Sequence, residues 1–157
     1  MRALRQSLYR IGFPLMRFYW RVTGAKRYGV KLMAFNDAGA LLLVRHAYGN
    51  QEAWMLPGGA IDRGETAAQA APRELMEETA LVAHDLNLFG HYFTQAEGKQ
   101  DNVALFTARV EGAPQIDAKE LVEARYFPLD ALPPETSPAT LRRIADWQSG
   151  RPGTDRW

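Results

Sequence analysis

Residues 59 to 81 read GAIDRGETAAQAAPRELMEETAL, and this stretch decides the reading of the chain because it predicts a helix with three acids on one arc. A helix advances about 100° per residue, so Glu74, Glu77 and Glu78 fall within roughly 100° of one another and can converge on one metal site. Ala68, Ala71, Leu75 and Thr79 take the neighbouring arc, an apolar stripe for the core beside an acidic stripe for solvent. Thr66 with Gln69 has the spacing of a capping box. Arg73 lies one turn before Glu77, where a cation can pair with a carboxylate. The helix is expected over about residues 67 to 79, with a local distortion at Pro72, whose ring removes the hydrogen bond to the Ala68 carbonyl at a cost of about 3 kcal/mol.

Glutamates at helical spacing are commonly no more than a solvated face. Here they repel one another and sit near a helix C-terminus, where the macrodipole disfavours negative charge. A bound divalent cation would offset both costs. Just upstream, Leu56-Pro57-Gly58-Gly59 lets backbone approach a ligand closely, as glycine permits.

The stretch resembles the box of the Nudix hydrolase family, G-x5-E-x7-R-E-U-x-E-E-x-G-U with U aliphatic. Gly59, Glu65, Arg73, Glu74, Leu75, Glu77, Glu78 and Leu81 each match at the required spacing. The departure is Ala80, where the family has a glycine that ends the helix in a left-handed conformation; alanine there costs on the order of 1 kcal/mol. The resemblance implies an α+β fold, an α/β/α sandwich with a mixed sheet between helices. It also implies hydrolysis of nucleoside diphosphates linked to a further moiety. By motif position Glu74, Glu77, Glu78 and the Gly59 carbonyl would hold the metal, while Glu65 and Arg73 would orient the cluster. Family members differ in the general base. Glu120 is the preferred candidate, with Glu123 and Glu97 as alternatives, each taken individually reading more readily as a surface residue.

Other chemistries fit less well. GAIDRGE lacks the Lys-Ser/Thr of a Walker motif, and no G-x-S-x-G occurs. His46, His84 and His91 lack zinc-ligand spacing, and the chain has no cysteine. Any metal should therefore be a hard cation held by oxygen, Mg²⁺ or Mn²⁺. Such an ion keeps few protein ligands and takes others from substrate phosphates, which points to hydrolysis of a phosphoanhydride.

The 157 residues, 46% hydrophobic and 24% charged, suit one globular domain. Cysteine-free composition gives an oxidising compartment no support, and a cytoplasmic protein is expected. Net charge is +1, but residues 1 to 36 hold eight Lys or Arg and no acid, leaving 11 basic against 18 acidic residues in the remainder. Within that basic region Leu4, Leu8, Ile11, Leu15, Phe18 and Val22 recur at helical spacing among arginines. Residues 1–27 therefore read as a basic amphipathic segment, 28–150 as the hydrolase domain and 151–157 as a loose tail. The segment is expected to pack on its own domain or in a homodimer; contact with an anionic membrane surface or an anionic ligand is the lesser reading. Arginines interrupt every apolar run, so neither a membrane span nor a signal peptide fits. No nucleic-acid motif occurs.

Residues 29–36 and 40–45 read as strands joined by a turn at Asp37-Ala38-Gly39. A short strand, Trp54 to Leu56, leads into the glycines. Residues 86–93 and 103–110 read as a second hairpin, 121–128 as a further strand, and 138–149 as a last helix with Leu141, Ile144 and Ala145 inward. Trp54, Tyr48, Tyr92 and Phe93 could stack on a base or sugar, and Arg45 and Lys99 could hold phosphate; core and solvated roles are the competing readings. Among small-molecule nucleotide substrates a nucleotide sugar is expected first and a nucleoside triphosphate, ordinary or oxidised, second. A nucleotide-binding sensor without turnover is the reading from another class.

Overall fold

The run at residues 40–44 is apolar at every position, and a strand of that composition needs cover on both faces. The structure, a computed structural model, describes residues 26–47, 49–94, 100–116, 118–152 and 157. Among them the elements are β1 (Lys26–Phe35), β2 (Leu41–His46), α1 (Ala67–Thr79), β3 (His84–Thr94), β4 (Gln100–Arg109), β5 (Leu121–Phe127) and α2 (Pro138–Gln148). The strands form one mixed sheet in the order β3-β4-β1-β2-β5, with β1 parallel to β4 and the other pairs antiparallel.

Side chains alternate across a strand, and β1 shows what that does to the core. Val30, Leu32 and Ala34 pack with Leu42 against Ala70, Ala71 and Leu75 of α1. Met33 packs with Leu41 and Leu43 against Ile144 of α2. The two helices therefore cover opposite faces, giving the expected α/β/α sandwich, and β2 is buried from both sides.

The hairpin between β1 and β2 closes where expected, with Asn36 Oδ1 accepting the N–H groups of Ala38 and Ala40. The two strands then part, for their one register pair is Phe35 with Leu41. Residues 55–61 fill the gap. Met55 exchanges backbone hydrogen bonds with Val44, Leu32 N–H donates to the Pro57 carbonyl, Val30 N–H to that of Gly59, and Ile61 N–H to that of Tyr28. A strand-like loop is thus wedged between β1 and β2, directly under α1. At Gly58 the wedge is so close that a Cβ would lie 2.3 Å from the Val30 carbonyl oxygen.

Helix α1 forms for the reasons its sequence gives. Thr66 Oγ1 accepts the Gln69 N–H while the Gln69 side chain accepts the Thr66 N–H, completing the capping box. The helix runs unbroken through Pro72. Of the expected stripe Ala71, Leu75 and Thr79 are buried and Ala68 is exposed, and Ala70 and Glu78 join the buried face. One of the three acids therefore lies on the packing face.

Ala80 ends α1 in the left-handed region at φ 55°, ψ 20°, with its N–H on the Met76 carbonyl. Glycine reaches that conformation without the Cβ penalty, a gain partly offset by the greater freedom of glycine in the unfolded chain. Ala80→Gly is expected to stabilise by about 1 kcal/mol, raising the melting temperature by about 2–4 °C, and to leave turnover alone. Thermal denaturation checks it, and a lower melting temperature would refute it.

The last helix and the tail depart from expectation. In α2, Thr140, Arg143 and Ile144 are buried while Leu141 and Ala145 are exposed. The inward face is set by Trp147 stacking on Phe35 at 4.8 Å and by Arg143 lying 4.0 Å from the Tyr92 ring centroid. The tail is not wholly loose: Trp157 donates its N–H to the Phe93 carbonyl and sets its ring edge-on to Tyr92. The amphipathic segment expected at the N-terminus lies outside the described residues up to residue 25, and β1 begins at Lys26, inside the range assigned to it. Tyr48, Glu97 and Lys99 also lie outside the described residues. Among the described residues no helix is long and apolar enough to cross a membrane.

Candidate active site

The wedge loop and α1 face each other, and every acid of the motif meets the other element or Arg73. Arg73 is the hub. Its guanidinium grips Glu65 through two bonds of 2.8 Å, donates to the Ala60 carbonyl at 3.1 Å, and reaches Glu74 at 2.9 Å and Glu77 at 3.0 Å. Glu65 also accepts the Asp62 N–H. With Arg73 foremost, these bonds hold the Glu65 carboxyl down to about 2, and Glu65 in turn raises Arg73 well above the ordinary guanidinium value. The bidentate pair fixes the angle between loop and helix, as planar recognition of a carboxylate does.

Glu74 lies against the Cα of Gly59, where a Cβ would come 2.4 Å from its Oε2. Glycine at 59 is what lets the acid reach the loop. Burial pushes the Glu74 carboxyl up against the pull of Arg73, and Glu77 and Glu120 add to the rise. Glu78 is 2% exposed and accepts the Gly58 N–H at 2.9 Å. Burial raises it too, opposed by Lys31 and by the Gly58 N–H, with Glu74 and Glu120 again repelling. Glu77 remains exposed. The Gly59 carbonyl accepts the Val30 N–H, which occupies one of its two lone pairs.

Glu120 comes close enough to repel both Glu74 and Glu78, and its carbonyl accepts the Ala47 N–H, anchoring it beside the end of β2. Glu123 does not join them: its cross-strand partner is Arg45, to which it is ion-paired at 3.4 Å. Of the side chains offered for base, sugar or phosphate, Trp54, Tyr92 and Arg45 lie on the face that α2 covers. Tyr92 is fully buried between Arg143 and Trp157, and Trp54 is buried edge-on to Phe127. Both are core side chains rather than walls of an open cleft, because α2 and Trp157 close over them. Arg45 is half-buried, its guanidinium 5.5 Å from the Trp54 ring centroid and its Nε on the Gln51 carbonyl. Phe93 is exposed.

Two residues at this site escape the sequence reading. His46 Nδ1 lies 4.0 Å from Glu78 Oε1, and burial, helped by Lys31, lowers the imidazole to about 4, so it is neutral at physiological pH. Lys31 Nζ donates to the carbonyls of Leu56 at 2.9 Å and Gly58 at 2.6 Å while facing Glu78 and Glu74. The available signal is a lone charge within the apolar run from Tyr28 to Phe35.

As they stand, no three acidic or imidazole side chains among the described residues are close enough to share an ion. Arg73 is ion-paired to Glu65, Glu74 and Glu77 instead, and the Lys31 charge acts on Glu78 and Glu74. The donors of the set would suit a hard cation, being oxygens, and the Glu78 and Glu74 carboxyls are pushed up by desolvation and by their neighbours, a strain that a divalent ion would relieve.

Known proteins share this architecture. A family model described as NUDIX domain matches residues 25–148. "Putative 8-oxo-dGTP diphosphatase" of Bacillus subtilis (strain 168) is 32% identical over 123 residues, spanning 78% of this chain and 80% of the relative. "NAD-capped RNA hydrolase NudC" of Salmonella heidelberg (strain SL476) is 31% identical across 71% of this chain; the chain spans 43% of that relative's length. The crystal structure of a MutT NUDIX hydrolase from Burkholderia pseudomallei superposes with TM-score 0.68 at 25% identity, covering 77% of this chain and 97% of the other.

Proposed function

The chain belongs to the NUDIX family and is a pyrophosphohydrolase of that type, and from that premise we propose that it splits a phosphoanhydride of a small nucleotide with Mg²⁺, or Mn²⁺ in its place. The carrying observation is the acid cluster that α1 and the wedge loop build around Arg73. Glu74, Glu77, Glu78 and the second lone pair of the Gly59 carbonyl would hold the ion. Bound there, it would neutralise phosphoryl charge and acidify a water. The residues of the chain have their own parts. Arg73 and Glu65 hold helix to loop, and Glu120, an acid from outside the motif whose charge acts on Glu74 and Glu78, takes the proton from the attacking water. The water oxygen forms a bond to phosphorus as the bridging P–O bond breaks, and the departing phosphate keeps the electron pair.

Two substrate classes follow from this chemistry. Nucleoside triphosphates, oxidised ones included, draw support from the Bacillus relative, whose printed name is that of an 8-oxo-dGTP diphosphatase and which the chain covers at 80%. Nucleotide sugars, the first expectation from sequence, share the same diphosphate. The absence of cysteine supports a reducing compartment, the cytoplasm, as the place of action.

A screen of nucleoside triphosphates, 8-oxo-dGTP, nucleotide sugars and dinucleotides in Mg²⁺, with product identification, tests the reading. Metal-dependent release of a nucleoside monophosphate is expected, with pyrophosphate as co-product from a triphosphate and a sugar phosphate from a nucleotide sugar. EDTA should abolish it. Nucleotide binding by calorimetry without metal, and with no phosphate product in Mg²⁺, would show a sensor instead.

A further inference from the structure

Every charged group facing the carboxylates from the motif is accounted for by the family pattern, but Lys31 is not part of it. It rises from β1, where its neighbours Val30, Leu32 and Met33 are all buried. A buried or half-buried ammonium is expensive unless charge and hydrogen bonds compensate it. Here two of its three protons go to carbonyls of the wedge loop, at Leu56 and Gly58. Gly58 is also the residue whose N–H holds the Glu78 carboxylate. Lys31 and Glu78 thus grip the two ends of the same residue, one by its carbonyl and one by its amide. The ammonium also attracts Glu74.

We propose that Lys31 is a positioning residue that serves as the built-in counter-cation of the carboxylate site: it pins the loop through two carbonyls and offsets Glu78 and Glu74 when no metal is bound. This rests on the reading of the cluster as a metal centre. Two consequences follow from Coulomb's law. The acids stay assembled before the ion arrives, so the site is preorganised. A divalent ion then enters a cluster that already holds a positive charge, so it binds less tightly than the acids alone would bind it. A neutral donor could satisfy the two carbonyls, so the loop ties by themselves do not require a charge. The neighbouring carboxylates do.

The test uses the full chain with Lys31→Met, Lys31→Arg, Glu78→Gln and the double variant Lys31→Met with Glu78→Gln. Melting is measured in EDTA, and Mn²⁺ binding by electron paramagnetic resonance without substrate. Lys31→Met should melt lower than the parent, and adding Glu78→Gln should recover at least half of that loss, because the uncompensated carboxylate is then gone. Lys31→Met should bind Mn²⁺ about tenfold or more tightly, while Lys31→Arg stays near the parent. Kinetically, Lys31→Met should lower kcat with a smaller effect on KM.

Additive losses in the melting cycle, or Mn²⁺ affinity that is unchanged or weaker in Lys31→Met, would overturn the proposal and leave Lys31 a simple loop tie. If Lys31→Met does not fold, folding restored in the double variant supports the proposal, and a double variant that also fails overturns it. Should the parent chain bind no Mn²⁺ at all, the metal reading falls, while the EDTA melting cycle still decides the charge role of Lys31.

Discussion

Glu77→Gln is expected to lower kcat by about 10²-fold or more while leaving the fold intact. The residue is exposed and is ion-paired at 3.0 Å to Arg73. A pair so open to solvent contributes little, about 0–1 kcal/mol, and Arg73 keeps its bonds to Glu65, Glu74 and the Ala60 carbonyl. The amide is the same size but carries no charge for an ion or for phosphoryl oxygens to work against. The loss should therefore appear in kcat and not in the melting temperature. Glu123→Gln, on the opposite face of the sheet, is the control and should turn over normally. Parent-like metal-dependent turnover by Glu77→Gln would remove the basis for placing the chemistry in this cluster.

Gly58→Ala should be the most damaging single change to stability. Gly58 has φ 124°, a conformation closed to side-chain-bearing residues, and the added Cβ would sit 2.3 Å from the Val30 carbonyl oxygen and 3.0 Å from the Lys31 Cα. Both atoms are backbone of a central strand and cannot swing aside. Either the wedge loop backs out from between β1 and β2 or the sheet yields. A loss on the order of 3 kcal/mol or more is expected from the strain and the clash together, which lowers the melting temperature by about 6–12 °C in a domain of this size. Gly39→Ala offers the contrast: φ is 73° and a Cβ there meets nothing within 4 Å. Its cost should be confined to the left-handed backbone, about 1–2 kcal/mol. Calorimetric melting of the two variants side by side measures the difference, and a Gly58→Ala chain as stable as Gly39→Ala would show that the wedge is loose.

Much of the site was legible because it is local. The capping box at Thr66 and Gln69, the Arg73 to Glu77 pair and the left-handed Ala80 all depend on residues within a turn or so of each other. The Glu65 grip on Arg73 spans eight positions and came with the motif. What misled the reading was orientation. The expected stripe of α1 holds at Ala71, Leu75 and Thr79 but not at Ala68, whose place Ala70 takes, because four alanines in residues 67–71 offer no strong choice of face. In α2 the aliphatic Leu141 reads as core yet is exposed, whereas Tyr92 and Trp157 supply an aromatic bed that holds the Arg143 guanidinium. Of the two readings of Tyr92, stacking residue or core, the structure shows core, and nothing near it in sequence reveals that Trp157 returns to cover it.

The sequence by itself determined the elements, their order, the ends of α1 and the acids that share its surface, since each follows from periodicity and capping within a few residues. Tertiary structure alone decided that β1 and β2 part to admit the wedge loop, that Glu78 is buried against Gly58, and that Lys31, His46 and Glu120 meet the acids of α1. Those contacts join residues 11 to 47 positions apart, and no local pattern encodes which face of one element will be pressed against which edge of another. That choice is made by close packing of the whole core.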